Sequence, residues 1–264
     1  MKALGIDIGS LTTKVVILDN NGTFLYKVTP SGDEPESSAR AALRDSLEQP
    51  ELNFDHDFSL VSTGIGGKLI PFAHKHKAIT TCLARGVHHL FPSARMAIDI
   101  GAESCNVIKI NERGRINDWV SHDKCAAGTG VFLQKMAKIM RMPLQDMSNL
   151  SLHANSGPDI TSTCAVFAES EVISHVHRDP PTPREEIVAG IHSSVVSRIM
   201  TLCKRIGIEK DIAIVGGVAL NSGVVNILEK ELGCNVLVPD TPQVAAALGA
   251  AVMARKNIET GIDK

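Results

Sequence analysis

Gly5-Ile6-Asp7-Ile8-Gly9-Ser10, close to the start of the chain, returns in altered form as Ala97-Ile98-Asp99-Ile100-Gly101-Ala102, 92 positions later. Each copy is an apolar run that reaches Asp-x-Gly, and each is followed by a second apolar segment, at 14–18 and at 104–110. Apolar runs bounded by glycine and polar residues are typical of strands, so each copy predicts a buried strand, a tight turn and a returning strand. Two copies of one such unit indicate a duplicated domain.

The rest of the chain predicts strands that alternate with helices. A hairpin turn at 19–22 precedes a predicted strand at 23–28, and a strand at 60–63 runs into the glycine-rich turn Gly64-Ile65-Gly66-Gly67. The other predicted strands are 212–215 and 236–238, and the predicted helices are 36–47, 126–141, 165–177, 184–206 and one that begins at Gln243. The order predicts an α/β protein with domains at 1–92 and 93–264, in which a helix at about 243–258 packs back onto the first domain.

Composition excludes several classes of protein. The chain has 264 residues, enough for one or two domains, and a formal net charge of −2 with both signs interspersed. It has no basic stripe and few aromatic residues, with one Trp, one Tyr and seven Phe, which disfavours a nucleic acid partner. Six scattered cysteines do not make a disulfide scaffold, and no apolar stretch is long enough to span a bilayer. We therefore expect a cytoplasmic, reduced protein with no membrane partner.

The two Asp-x-Gly turns have the chemistry of a phosphate clamp. A glycine after a buried strand lets the backbone approach a ligand closely, and the N–H groups that follow can point at a phosphate. In the first turn, Ser10, Thr12 and Thr13 add hydroxyl groups and Lys14 adds a positive charge. Asp7 suits Mg²⁺ through water because hard cations prefer oxygen ligands. Asp99 and Gly101 are expected to supply the opposing half of the clamp, and Gly216-Gly217 follows a third buried strand.

Two cysteines stand apart from the others because each opens a predicted helix among small residues. Cys125 lies in Cys125-Ala126-Ala127-Gly128-Thr129-Gly130, and Cys164 lies 39 positions later in Cys164-Ala165-Val166-Phe167-Ala168-Glu169. The N-terminus of a helix favours a thiolate, and a cubane iron–sulfur cluster usually needs four thiolates. One chain offers two, so a symmetric dimer would offer four. The alternative is that they fill the core, as we expect for Cys82, Cys105, Cys203 and Cys234.

The three glycine turns resemble the phosphate and adenosine motifs of the acetate kinase, sugar kinase, Hsp70 and actin superfamily. Within it, the segments from Asp123 to Gly130 and from Thr163 to Ser174 closely resemble the ATP-dependent activators of 2-hydroxyacyl-CoA dehydratases and the ATPase subunits of benzoyl-CoA reductases. The resemblance spans Leu4 to about Ala254. It implies two duplicated ribonuclease H-like domains with a nucleotide cleft between them.

The resemblance also implies an activity and its residues. It implies an ATPase that drives low-potential one-electron transfer to an iron–sulfur acyl-CoA dehydratase or reductase, with ferredoxin or flavodoxin as donor. It implies a homodimer that shares one [4Fe-4S] cluster held by Cys125 and Cys164 of each copy. Asp7 would anchor Mg²⁺ and Asp99 would orient the attacking water. The residues expected to contact ATP or ADP are Gly9, Ser10, Leu11, Thr12, Thr13, Lys14, Gly101, Ala102, Gly216, Gly217, Val218 and Gln243.

Alternative functions follow from the same residues. Many activators read Asp-x-Gly-Gly-Gln-Asp at the second turn, where this chain has Glu103 in place of the glutamine, and this change favours the benzoyl-CoA reductase branch. A small-molecule kinase of the same superfamily would explain the phosphate turns but not the two cysteines. A nucleotide-dependent assembly protein related to actin would explain the same turns through polymerisation.

Overall fold

The structure, a computed structural model, describes residues 2–19, 21–22, 24–47, 58–122 and 129–261. Strands and helices alternate along most of these residues. The strands are β1 (Lys2–Ile8), β2 (Thr12–Leu18), β3 (Phe24–Pro30), β4 (Phe58–Thr63), β5 (Lys75–His76), β6 (Met96–Ile100), β7 (Cys105–Ile110), β8 (Ile116–His122) and β9 (Ile212–Val215). The α-helices are α1 (Pro35–Leu47), α2 (Ile79–Leu90), α3 (Gly130–Ile139), α4 (Leu144–Leu150), α5 (Ala165–His177), α6 (Arg184–Ile206), α7 (Ser222–Leu232) and α8 (Ala245–Thr260).

The described strands form two sheets that correspond to each other. The order in the first is β3-β2-β1-β4-β5 and in the second β8-β7-β6-β9. In the first sheet β1 pairs antiparallel with β2 and parallel with β4. β6, β7, β8 and β9 occupy the positions that β1, β2, β3 and β4 occupy in the first sheet. The predicted α/β fold is confirmed, and the repeat seen in the sequence continues in the strand order.

The first sheet has helices on both faces because side chains alternate along β1. Leu4 and Ile6 point to the face that α1 covers, and they pack with Ala39 and Leu43 of that helix. Ala3 points to the other face and packs against α8, which lies there with Cys82 of α2. Burial on both faces explains why β1 is a nearly continuous apolar run.

Backbone packs closely on backbone between α8 and its neighbours. A Cβ on Gly5 would lie 1.9 Å from the carbonyl oxygen of Ala247, and a Cβ on Gly249 would lie 1.7 Å from that of Cys82. Any side chain at either position would therefore collide with main chain. The absence of side chains at these two glycines lets α8 lie against β1 and α2.

The described residues divide into two compact units. The first is drawn from 1–97, 108–118 and 239–264, and the second from 98–107 and 119–238. In the second unit, α6 extends over 184–206, as the sequence predicts, with acidic residues in its first turn and basic residues in its last. The predicted strand at 236–238 is only a single bridge, in which Leu237 pairs with Ala213. No helix within the described ranges has the length and apolar character needed to cross a bilayer.

Candidate functional site

The first Asp-x-Gly turn is built around a buried ion pair. Asp7, at the end of β1, is 4% exposed and opposes Lys14 of β2 in the antiparallel register. The Lys14 Nζ lies 3.1 Å from Asp7 Oδ2. The Gly9 N–H donates to the Thr12 carbonyl oxygen at 3.1 Å and closes the turn. The structure therefore brings Asp7, Gly9 and Lys14 together, as the sequence predicts.

A serine that sequence reasoning missed stabilises this turn. Ser31, just after β3, donates its hydroxyl to the Gly9 carbonyl oxygen at 2.8 Å and lies 2.9 Å from the Thr13 hydroxyl. Ser31 belongs to no motif of the turn, and β3 places it there by pairing with β2. Thr13 is fully buried, and of the predicted contacts in this turn Leu11 is the most exposed, at 40%.

The second oxygen of Asp7 faces a glycine with an unusual backbone conformation. Gly64, immediately after β4, has φ +85°, a region that favours glycine, and a Cβ there would lie 2.4 Å from both Asp7 Oδ1 and the Ile8 carbonyl oxygen. Asp7 Oδ1 is buried and makes no hydrogen bond within the described residues. The glycine thus leaves room next to a carboxylate oxygen that has no protein partner among those residues, and such an oxygen fits a hydrated Mg²⁺.

The second Asp-x-Gly turn has the same arrangement with a different partner. Asp99, at 8% exposure, accepts a hydrogen bond through Oδ2 from the Asn106 amide at 2.9 Å, and Asn106 in turn accepts from Ser121. The Gly101 N–H donates to the Ser104 carbonyl oxygen at 2.8 Å, as Gly9 does to Thr12. Asn106 follows Asp99 by the same number of residues as Lys14 follows Asp7. An amide therefore replaces an ammonium group at the equivalent position.

Gly216 occupies in the second unit the position that Gly64 occupies in the first. It follows β9 directly, has φ +87°, and a Cβ there would lie 2.8 Å from Asp99 Oδ1 and 2.4 Å from the Ile100 carbonyl oxygen. The structure thus groups Asp99, Gly101 and Gly216. Gly217 and Val218 continue into a short 3-10 turn, Gly217–Leu220, whereas Gln243 lies in the first unit, in the 3-10 turn Pro242–Val244.

A buried polar network supports the segment after Gly217. Asn221 begins α7, and its side-chain oxygen accepts from the Val224 N–H at 3.1 Å. Its amide nitrogen lies 3.2 Å from His192 Nε2, and His192 Nδ1 lies 2.9 Å from the Ser151 hydroxyl. Since an amide nitrogen only donates, His192 is neutral with its proton on Nδ1. Burial lowers the pKa of His192 to about 4, which favours this form.

The second turn is joined by backbone hydrogen bonds to the start of α3. The Gly130 N–H donates to the Gly101 carbonyl oxygen and the Val131 N–H to that of Ala102, both at 2.9 Å. A Cβ on Gly130 would lie 3.2 Å from the Gly101 oxygen and 3.5 Å from Val218 Cγ2. α3 therefore begins in direct contact with two segments that the sequence assigns to nucleotide binding.

Cys164 has the environment predicted for a helix-terminal thiol. It is the residue before α5, has extended backbone angles and is half-buried, and its side chain makes no capping hydrogen bond. Ahead of it, the Thr161 N–H donates to the Glu171 carboxylate at 2.7 Å, which fixes the approach of the chain to the helix. Cys125 lies outside the described residues. No group of three or more His, Cys, Asp and Glu side chains in the described part of the chain could hold a metal ion.

The helices that follow the two cysteine segments are in contact. Lys135 of α3 forms an ion pair with Glu169 of α5. Val166 and Phe167, in the first turn of α5, are apolar yet 62% and 66% exposed. An apolar surface therefore lies immediately beside Cys164.

The other described cysteines differ from Cys164. Cys82, Cys105 and Cys203 are buried, and Cys234 is half-buried next to the end of α7. Burial raises the pKa of Cys82 and of Cys203 to about 12, and raises that of Cys105 further. The three buried thiols are thus held in the protonated form, which supports their prediction as core residues.

Comparison with known proteins identifies the family. Residues 4–254 match the model of the BadF/BadG/BcrA/BcrD ATPase family. The chain belongs to this family. It is 40% identical over 254 residues to the 2-hydroxyisocaproyl-CoA dehydratase activator of Clostridioides difficile, covering 96% of this chain and 95% of that protein. It is 37% identical to the (R)-2-hydroxyglutaryl-CoA dehydratase activating ATPase of Acidaminococcus fermentans, with 96% of each chain covered.

Solved structures agree with this assignment. The activator of 2-hydroxyisocaproyl-CoA dehydratase from Clostridium difficile, with bound ADPNP, aligns at a TM-score of 0.91 and 38% identity, covering 100% of this chain and 98% of that one. A ROK family glucokinase from Streptomyces griseus aligns at a TM-score of 0.58 and 12% identity, covering 97% and 100%, which shows the shared fold alone. The resemblance stated from the sequence motifs is confirmed, and so is the superfamily fold.

The relatives of this chain also include a benzoyl-CoA reductase subunit. One of the benzoyl-CoA reductase subunits of Thauera aromatica is 31% identical over 260 residues, covering 94% of this chain and 91% of that protein.

Proposed function

We propose that this protein is an ATP-dependent reductive activator, which couples ATP hydrolysis to one-electron transfer into a partner iron–sulfur acyl-CoA dehydratase. The observation that carries the proposal is the pair of backbone hydrogen bonds from Gly130 and Val131 to Gly101 and Ala102. They join a turn of the phosphate-clamp type to the helix that follows the Cys125 segment. Family membership and the activator relatives support the same function.

The phosphate turns carry most of the residues that we propose for ATP binding. Ser10 to Lys14 offer N–H groups, hydroxyls and a cation to phosphate oxygens, and Gly101, Ala102 and Gly216 to Val218 offer N–H groups from the second unit. Gln243 is proposed as a further contact. Asp7 Oδ1, buried without a hydrogen bond in the described residues, fits the hydration shell of Mg²⁺. Asp99, which Asn106 holds through Oδ2 and which lies beside Gly216, is proposed to orient the water that attacks the γ-phosphate.

The cysteines are proposed to hold a [4Fe-4S] cluster between two copies of the chain. Cys164 fits the role by its position, because it is half-buried, directly precedes α5 and makes no capping hydrogen bond that would occupy its sulfur. Cys125 would be its companion. When bound, the cluster supplies a one-electron carrier. The protein's own contribution is to bring α3 and α5 into contact, where Lys135 and Glu169 form an ion pair.

Coupling follows from these contacts. A change in the phosphate at Gly101 and Ala102 alters two carbonyl groups that hold the start of α3, and α3 is joined to α5 next to Cys164. Nucleotide state would thereby change the surroundings of the thiolates. Ferredoxin or flavodoxin is the proposed donor, and a homodimer is the proposed functional unit.

The test is anaerobic purification followed by iron, sulfide and ATPase assays on three proteins. The wild type is expected to contain about four iron atoms per dimer and to hydrolyse ATP. Cys164→Ala should lose the iron, whereas Cys203→Ala, in the buried core, should retain it. An ATPase that purifies without iron under these conditions, or a Cys164→Ala variant with full iron, contradicts the proposal.

A second candidate is the ATPase subunit of a benzoyl-CoA reductase complex. Glu103, exposed in the second turn, favours it, as does the 31% identity with the Thauera aromatica reductase protein. The two candidates differ in assembly. A free homodimer purified from the native cell favours the activator, whereas a stable hetero-oligomer favours the reductase complex.

A further inference from the structure

A small pocket lies between α2 and the turn that joins β7 to β8, and both of these segments belong to the first unit. The pocket has a volume of about 270 Å³. It is lined by Thr81, Ala84, Arg85, Gly114, Arg115 and Ile116. Two arginines therefore flank a recess whose other walls are small or apolar, and none of these residues belongs to the nucleotide turns or to the cysteine segments.

The turn between β7 and β8 is held in one conformation. The side-chain oxygen of Asn111 accepts from the Arg113 N–H at 2.9 Å and from the Arg115 N–H at 3.0 Å. Gly114 has φ +66°, and a Cβ there would lie 2.7 Å from Cδ2 of His88, so the turn packs directly on α2. The pocket therefore has fixed walls on both sides, and its shape does not depend on a ligand.

Positive charge gathers at this pocket without acidic partners. Arg85 donates through Nη1 to the Arg113 carbonyl oxygen at 2.8 Å, which joins the helix to the turn. None of the ion pairs within the described residues includes Arg85, Arg113 or Arg115. Glu112 of the same turn is exposed and makes no ion pair with them either. The charges of these guanidinium groups are thus available to an anion from another molecule.

The helix dipole does not account for this charge. Basic residues are favourable near the C-terminus of a helix, and His88 and His89 lie in the last turn of α2, but the arginines of the β7–β8 turn are not on the helix. Burial and, after it, the charges of Arg85, Arg95 and His89 lower the pKa of His88, so these cations act on one another. The sequence from 58 to 98 contains no Asp or Glu, whereas the whole chain has 29. Like charges that are collected in this way repel each other, and a partner of opposite charge would relieve the repulsion.

We propose that Arg85 and Arg115 bind carboxylate groups of an acidic segment on a partner protein, one of which enters the pocket. Guanidinium groups bind carboxylates through two parallel hydrogen bonds, and Arg is enriched at protein interfaces. An acidic side chain fits the recess because Ala84 and Ile116 can contact its aliphatic stem while the arginines contact its charge. The recess, at about 270 Å³, is smaller than the cavities of ~300–1,000 Å³ that hold most small-molecule ligands. The inference goes beyond the proposed function, since it requires neither nucleotide nor cluster.

The test is the binding of a fluorescein-labelled oligoglutamate peptide, measured by fluorescence anisotropy at low salt, with an oligoglutamine peptide as the uncharged reference. Arg85→Gln combined with Arg115→Gln should weaken binding of oligoglutamate about 10-fold. Arg85→Lys combined with Arg115→Lys should also weaken it, because lysine keeps the charge but cannot form two parallel hydrogen bonds. Arg44→Gln combined with Arg205→Gln is the matched control, since it removes the same charge from exposed positions on α1 and α6 and should change binding little.

The controls separate a specific site from general attraction between charges. Equal weakening in the control pair, or lysine variants that bind as the wild type does, would overturn the inference, as would a wild type that does not prefer oligoglutamate to oligoglutamine. Tripolyphosphate that binds more tightly than the peptide, with the same dependence on the two arginines, would also overturn it in favour of a phosphate site. If the glutamine variant does not fold, as judged by circular dichroism, the lysine variant decides. None of these results depends on the iron and ATPase assays that test the proposed function.

Discussion

At the scale of single residues, one arrangement holds the two aspartates with two different partners. In both, one oxygen is held by a side chain on the next strand and the other faces a glycine with positive φ. Asp7 is held by an ammonium group and Asp99 by an amide. The ion pair neutralises Asp7, whereas the amide fixes the direction of Asp99 without adding a charge. This difference accords with the proposed roles of Asp7 as the Mg²⁺ anchor and of Asp99 as the group that orients water.

The Asp7–Lys14 pair gives a prediction about stability. The two side chains are 6% and 14% exposed, so Lys14→Met would leave a buried carboxylate without its counter-charge. We expect the free energy of unfolding to fall by about 3–5 kcal/mol, as for other broken buried pairs. Asp7→Asn combined with Lys14→Met should recover much of that loss. Urea unfolding of both single variants and the double variant measures it, and additive losses would show that the pair is not coupled.

His192 gives a prediction about pH. Its pKa in the folded protein is about 4, below the 6.5 of an unfolded chain, so the unfolded state binds a proton first as pH falls. The contribution of His192 to stability is complete above pH 6.5 and is lost between 6.5 and about 4. The loss is expected to reach about 3 kcal/mol. His192→Asn should flatten this dependence in urea unfolding at pH 7, 6 and 5, and an unchanged slope would exclude His192 as its source.

At the scale of elements, the packing of α8 on α2 depends on the absence of side chains. A Cβ on Gly249 would lie 1.7 Å from the Cys82 carbonyl oxygen, which belongs to rigid backbone. We expect Gly249→Ala to lower the free energy of unfolding by about 1–3 kcal/mol or more, since overpacking displaces one helix from the other. Lys256→Ala, on the exposed side of the same helix, is the control and should change little. Equal stability of the two variants would contradict the close contact.

The sequence predicts those elements whose signal is local. The apolar runs of β1, β2 and β9 and the long patterned helices α5 and α6 are found where the sequence places them. α2 was not predicted, although its buried residues Leu83, Gly86 and Val87 recur at helical spacing and so provide a local signal. The segment at 236–238 is apolar enough for a strand, yet only Leu237 finds a partner.

The candidate site was predicted only in part, because the sequence shows those of its residues that are close together along the chain. Asp7, Gly9 and Lys14 lie within one turn, so their grouping can be read from the sequence. Gly64 and Ser31 reach that turn only through strand pairing, from positions more distant along the chain. Neither carries a motif that connects it with Asp7, and this contact appears only once the sheet is formed.

At the scale of the whole molecule, the exposed apolar residues beside Cys164 accord with the proposed homodimer. Val166 and Phe167 are 62% and 66% exposed, and Ile173, two turns along α5 from Val166, is 41% exposed. A proposed cluster with two ligands per chain would place this face of α5 close to a two-fold axis. In an interface these apolar side chains would be covered, whereas on a surface in water they would stay exposed. The composition of this face therefore accords with an interface.

This explanation predicts the effect of a charge in that face. Phe167→Glu would bury a carboxylate in the proposed interface and remove about 2 kcal/mol of apolar contact from each copy. The dimer should therefore dissociate at concentrations at least ~10 times higher than the wild type requires, as measured by analytical ultracentrifugation. Leu25→Glu is the matched control, because Leu25 is 69% exposed on β3 of the first unit, far along the chain from Cys164. If Leu25→Glu abolished dimerisation and Phe167→Glu did not, the interface would lie elsewhere. The shared cluster would then have no geometric basis.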